Sequence, residues 1–213
     1  MKDIFSNMAT VTLLILTLCY AMAAEELSAK VTRAKGKPVV LRSGNEVELT
    51  LNMEVKEGET IRTRQGDQCT LTLGDGSKIL VFPSSEVSVK AKDKKKIELN
   101  QKVGFSWMKV KPLKGVDERF IIRTPTAVAG VRGTSFSCSV ENGGKSGFCV
   151  CEGKIAVKKG EKEELLKKGE FLNANEKSLG GKMGDVVLLK RPTTSSMSCL
   201  QCHQGGSRRN GRY

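Results

Sequence analysis

With 213 residues, 38% of them hydrophobic and 28% charged, the chain has material for one main domain with a single, modest core. Its formal charge of +13 suits an anionic partner or surface, but an export-type N-terminus argues against nucleic acid. Enzymatic classes find no support. The sole histidine, His203, lies in another motif, Gly180-Gly181-Lys182 lacks the upstream glycine of a phosphate loop, and the acidic residues are scattered at turns such as Asp75 and Glu152.

In chain order, residues 1–23 read as a signal peptide. Lys2 gives a basic start, Val11 to Leu18 forms an apolar run too short to span a bilayer comfortably, and Ala21-Met22-Ala23 offers small residues for cleavage. The expectation is a periplasmic or secreted protein with a cleaved signal, an uncleaved anchor being the alternative. Val39-Val40-Leu41 and then Val47, Leu49, Leu51, Met53 and Val55 alternate with polar residues, which predicts a half-buried strand over 47–55 after a Ser43-Gly44-Asn45 turn. Asp75-Gly76 between Leu71/Leu73 and Ile79/Val81 predicts a hairpin.

The basic run Lys90, Lys92, Lys94, Lys95, Lys96 reads first as a solvated hairpin tip. Its functional alternative is a patch for an acidic glycan, an anionic lipid surface or an acidic redox partner, continued by Lys109, Lys111 and Lys114. Trp107, the lone tryptophan, is expected in the core. Ile61-Arg62-Thr63 and Ile122-Arg123-Thr124 begin two similar strand groups, a hint of duplication. Helix formers in 161–168 offer a short helix as an alternative to a strand. The pattern as a whole predicts an all-β fold, an antiparallel sandwich or roll of short strands over 25–173. A linker follows at 174–195, with one further strand offered at Val186 to Leu189, and then a flexible C-terminal tail at 196–213.

The stretch from Phe120 to Val140 combines a short apolar strand, Thr124-Pro125, the small-residue run Ala127-Val128-Ala129-Gly130-Val131-Arg132-Gly133-Thr134, and alternating Phe136, Cys138 and Val140. It resembles the core of the FecR family of periplasmic sensor domains. Glu57-Gly58-Glu59-Thr60-Ile61-Arg62-Thr63, Leu71-Thr72-Leu73-Gly74-Asp75-Gly76-Ser77 and Val150-Cys151-Glu152-Gly153-Lys154-Ile155 extend the resemblance across roughly residues 31–172. It implies a periplasmic β domain ending in strand-turn-strand, and a non-enzymatic role in binding an envelope partner. Because nothing precedes the signal here, the expectation is that no sigma factor contact is inherited with the fold.

The sharpest chemistry is Cys199-Leu200-Gln201-Cys202-His203. Cys-x-x-Cys-His is the attachment pattern of c-type haem: two thiols add to the vinyl groups and the next histidine reaches the iron. The expectation is one haem c, with Cys199 and Cys202 as thioethers and His203 as axial ligand, serving electron transfer or redox sensing with an envelope or redox protein partner. Met53, Met108, Met183 and Met197 are the methionines considered for the opposite side of the iron, alongside a partner's ligand or an open position. Two alternatives compete: a disulfide between Cys199 and Cys202, and zinc held by these thiols with Cys149 and Cys151, helped by His203. For the remaining cysteines, shared facing favours Cys69–Cys138 and leaves Cys149 and Cys151 unpaired, since side chains two apart on a strand rarely reach disulfide geometry.

Overall fold

The computed structural model describes residues 29–93, 96–112 and 119–180. The signal segment, Val186 to Leu189 and the Cys199-x-x-Cys202-His203 motif lie outside these, as do Lys94 and Lys95. Among the described residues every regular element is a strand, and no helix is long and apolar enough to cross a membrane.

The first half contains β1 (Ala29–Lys35), β2 (Val39–Arg42), β3 (Asn45–Glu48), β4 (Glu54–Val55), β5 (Thr60–Thr63), β6 (Gln68–Leu73), β7 (Lys78–Val81) and β8 (Ser85–Asp93). The second contains β9 (Lys96–Lys109), β10 (Arg119–Arg123), β11 (Val128–Val131), β12 (Ser135–Val140), β13 (Ser146–Glu152), β14 (Lys154–Lys159), β15 (Lys162–Lys167) and β16 (Phe171–Ala174). The predicted all-β class is what the chain adopts. The segment at 161–168 is strand, not helix. Leu165 and Leu166 fall on opposite faces of β15, and only Leu166 reaches the core.

The 14-residue strand β9 organises the rest. Its first half pairs with β8 and β10, its second half with β7 and β12. Two sheets therefore share one strand. The first runs β3-β2-β5-β8-β9-β10-β11-β14-β15, and the second β4-β1-β6-β7-β9-β12-β13-β16. Every pairing is antiparallel except β9 with β10. In the first sheet the order β2-β5-β8-β9 recurs as β10-β11-β14-β15, and each repeat sends one hairpin, β6–β7 or β12–β13, into the second sheet. The hint of duplication thus has a structural counterpart, with its register corrected. β10 corresponds to β2 and not to β5, so Ile122-Arg123 and Ile61-Arg62 do not occupy equivalent strands. β9 joins the two copies, pairing parallel with β10 in the first sheet and antiparallel with β12 in the second.

Inward-facing residues of both sheets form one core, including Ile61, Leu71, Ile79, Leu99, Met108, Phe120, Phe136, Phe148 and Leu172. The Asp75-Gly76 hairpin forms as predicted, its turn closed by the Asp75 carboxylate accepting from the Ser77 N–H (2.8 Å) and hydroxyl (2.7 Å). The Ser43-Gly44 turn also forms, between β2 and β3. The single strand expected over 47–55 is instead two, β3 and β4. Asn52, at φ 68°, turns the chain between them and leaves Leu51 61% exposed.

At its centre β9 changes phase. Glu86 lies opposite Val103 and Val87 opposite Gln101, so Lys102 is an extra residue in the ladder. Ile97, Leu99 and Gln101 point inward before this bulge, Ser106 and Met108 after it. Gly104 follows the bulge with φ 93°. Gln101, almost fully buried, serves the bend: its Nε2 donates to the carbonyls of Gly104 (2.8 Å) and Cys138 (3.2 Å), and its Oε1 accepts from the Ser106 hydroxyl (2.5 Å). The phase change corrects the placement of Trp107. It stands half-buried on the outer face of the second sheet, not in the core.

Candidate functional site

The residues that gave the family resemblance close turns and join sheets. The Glu59 carboxylate accepts from Arg42 and from the Lys56 N–H (2.9 Å). Burial alone would raise its pKa, yet these donors outweigh that and hold it below the ordinary carboxylate value. Asp67 is likewise lowered by the backbone N–H groups of Lys37 and Arg64 (each 2.9 Å). Thr63 bonds Phe82 O (2.6 Å), and Thr134 bonds Lys154 O (2.7 Å). Thr126 and Ser146 share a hydrogen bond (2.7 Å), and Ser146 donates to Thr124 (2.8 Å), which ties the Thr-Pro turn to β13. These side chains are occupied in making the fold.

The predicted lysine patch occupies the β8–β9 hairpin, as its spacing suggested, with Asp93 opposite Lys96. Lys90 and Lys96 are exposed, while the side chains of Lys92, Lys94 and Lys95 lie outside the described residues. Nothing described gathers them into a pocket.

Four cysteines fall in the described residues, and the expected pairing is overturned. Cys69 and Cys138 are both buried and both free. They share a register row through Val81 and Ser106 but stand three strands apart. Three steps of about 4.8 Å put their Cα atoms about 14 Å apart, twice what a disulfide allows. Burial pushes the Cys69 thiol up to about 12, and Cys138 is raised further by burial. We expect both to resist alkylation at pH 8 in the native protein and to react on denaturation, measured by mass after timed iodoacetamide labelling. Rapid native labelling of either would contradict this burial.

Cys149, expected to be unpaired, is disulfide-bonded. None of the described cysteines can be its partner. Cys69 and Cys138 are free, and Cys151, on the same face of β13, projects in parallel about 6.7 Å away, where a disulfide needs Cβ atoms about 3.8 Å apart. A disulfide sulfur is also no zinc thiolate, so a zinc site using Cys149 requires reduction first. Among the described residues no three His, Cys, Asp or Glu side chains gather as metal ligands. Met108 is sealed in the core and is removed from the candidate haem ligands, and Met53 packs against the core partly buried.

Cys149 belongs to a row that the sequence did not reveal. On the outer face of the second sheet, Phe171, Cys149, Ser137, Trp107 and Leu80 stand side by side on β16, β13, β12, β9 and β7. Phe171 lies over Gly147, where an added Cβ would come within 3.1 Å of its ring. Cys149 and Phe171 form a small buried cluster apart from the main core. Ser137, pointing away from the core, is nevertheless only 1% exposed. The row is covered at Phe171, Cys149 and Ser137 and half-open at Trp107 and Leu80.

The class that these features define is a two-sheet β module built of two joined repeats. Residues 59–156, a little under half of the chain, match the family described as FecR protein and cover the centre of the module. β1 to β4, β15 and β16 lie outside the match. Two solved structures from Parabacteroides distasonis ATCC 8503, both provisionally described as anti-sigma factors, share the fold. One is 20% identical with a TM-score of 0.52, covering 62% of this chain and 62% of its own. The other is 18% identical with a TM-score of 0.53, covering 68% of this chain and 74% of its own. No curated protein matches. The expectation that no sigma factor contact is inherited with the fold is thereby corrected: two proteins that share this fold are provisionally described as anti-sigma factors. That expectation rested on what precedes the apolar run at 11–18, which carries no information about a partner reached through another protein.

Proposed function

We propose that this protein is an exported, non-enzymatic signalling module of the cell envelope that holds a protein partner through its FecR domain. Its tail motif Cys199-x-x-Cys202-His203 carries one covalent c-type haem. The FecR match over 59–156 supports the signalling role. The anti-sigma description of the structural neighbours makes a membrane protein that reports to a sigma factor the first partner to test. The observation that carries the haem is the motif itself, in which the only histidine of the chain directly follows the second thiol. Haem bound there supplies one-electron redox chemistry, for sensing or for electron transfer. Cys199 and Cys202 would hold it by thioethers and His203 by the iron.

Expression of the full chain in a host with active c-type maturation, followed by denaturation and an alkaline pyridine spectrum, tests this reading. Covalent haem, at no more than one per chain, is expected, and its loss in Cys202→Ala. No covalent haem, with a control cytochrome matured in the same cells, would overturn it. A second reading is favoured by the disulfide at Cys149: a haem-free module of the same class, whose tail thiols serve as disulfide partners.

A further inference from the structure

We propose that one thiol of the Cys199-x-x-Cys202 pair is pinned by a disulfide to Cys149, on the outer face of the second sheet. The inference rests on the tail-motif reading above, and adds that the thiol which binds Cys149 is unavailable for haem.

Three observations carry it. Cys149 is in a disulfide whose partner is none of the described cysteines, which leaves Cys19, Cys199 and Cys202. Cys19 falls within the segment read as a cleaved signal, so the tail pair remains. Second, the face around Cys149 is covered although the core lies on the other side of the sheet: Cys149 and Ser137 are each 1% exposed and Phe171 is 6% exposed. Third, the chain leaves the described region beside this face. Gly180 donates its N–H to Asn173 O (2.7 Å), and Asn173 follows Phe171 by two residues on β16. At up to about 3.3 Å per extended residue, the segment from Gly180 to Cys199 has ample reach to the neighbouring strand.

The bond forms by oxidation of two thiols. One sulfur–sulfur bond is made, and two electrons and two protons pass to an envelope dithiol–disulfide oxidoreductase. The second tail thiolate can then attack the mixed disulfide, forming Cys199–Cys202 and releasing Cys149 as a thiolate, with no net change in oxidation. Haem attachment consumes both tail thiols, so pinned and haem-bearing chains are mutually exclusive.

The full chain, exported, alkylated without reduction and digested with trypsin, tests the proposal. We expect a mass that joins the peptide 146–154 to the tail peptide containing Cys199 and Cys202. Reduction should split it, Cys149→Ser should abolish it, and Cys151→Ser should retain it. The double variant Cys199→Ser with Cys202→Ser should lose the link while its circular dichroism stays that of the folded β domain. Cys149 recovered alkylated, or joined to any other cysteine, overturns the proposal. The pyridine spectrum of the same samples reads the haem independently. Cys149→Ser should raise haem per chain at least twofold if both readings hold, and a linked wild type whose Cys149→Ser variant also lacks haem would sink the haem reading alone.

Discussion

Gly104→Ala is expected to cost about 3–5 kcal/mol of stability, read from the shift in urea midpoint at unchanged slope. Two terms add. The residue sits at φ 93°, where a Cβ is strained against its own backbone. The added carbon would also collide with Ser85 and come within 2.6 Å of Ser84 O, groups that cannot swing aside. Ser85 is held by its hydroxyl, which donates to Phe105 O (3.1 Å) and accepts from the Phe105 N–H (2.9 Å). Gly58→Ala separates the terms, because Gly58 has φ 82° but nothing within 4 Å of its would-be Cβ. Its cost should be only about 1–2 kcal/mol. Equal losses at the two sites would refute the claim that β9 bends against Ser85.

Phe148→Ala should cost about 3–5 kcal/mol, a large part of the roughly 5–15 kcal/mol that a domain has in total. Phe148 is fully buried on β13, opposite Cys138 on one side and Leu172 on the other. Its removal leaves a cavity that strands fixed by two ladders cannot collapse to fill. Leu165→Ala on the exposed face of β15, at 42% exposure, is the control and should stay within about 0.5 kcal/mol. A comparable loss at Leu165 would mean that its face is covered in solution.

Much of this fold was legible because its signals are local. Asp75-Gly76 and Ser43-Gly44 supply the backbone freedom that tight hairpins need, and both turns formed where they were read. The FecR resemblance was legible for a related reason. Glu59, Thr63, Asp75, Thr124 and Thr134 close turns whose spacing the backbone dictates, so they report the fold and say little about a ligand.

The failures share a different cause. From Ile97 to Trp107 the sequence keeps its apolar side chains on odd positions, so Trp107 reads as core. One extra residue, Lys102, moves the inward set to Ser106 and Met108, and no residue type announces a bulge. Cys69 and Cys138 were matched by facing alone. Facing is periodic and readable, whereas the strand order that separates them by three positions is not. The outer row from Phe171 to Leu80 was hidden for the same reason, since it exists only once five strands are set side by side.

The sharing of β9 has a kinetic consequence. A sandwich of two independent sheets can assemble one layer and then add the other, with a half-formed species between. Here the central strand of the first sheet and that of the second are one covalent piece, and the repeats meet across it, at its parallel edge with β10 and its antiparallel edge with β12. Neither layer is complete until β9 is seated in both, so fraying of one removes the support of the other. Backbone amides at Leu99 and at Met108, on opposite sides of the bend, should therefore exchange with solvent through the same global opening and at matching rates.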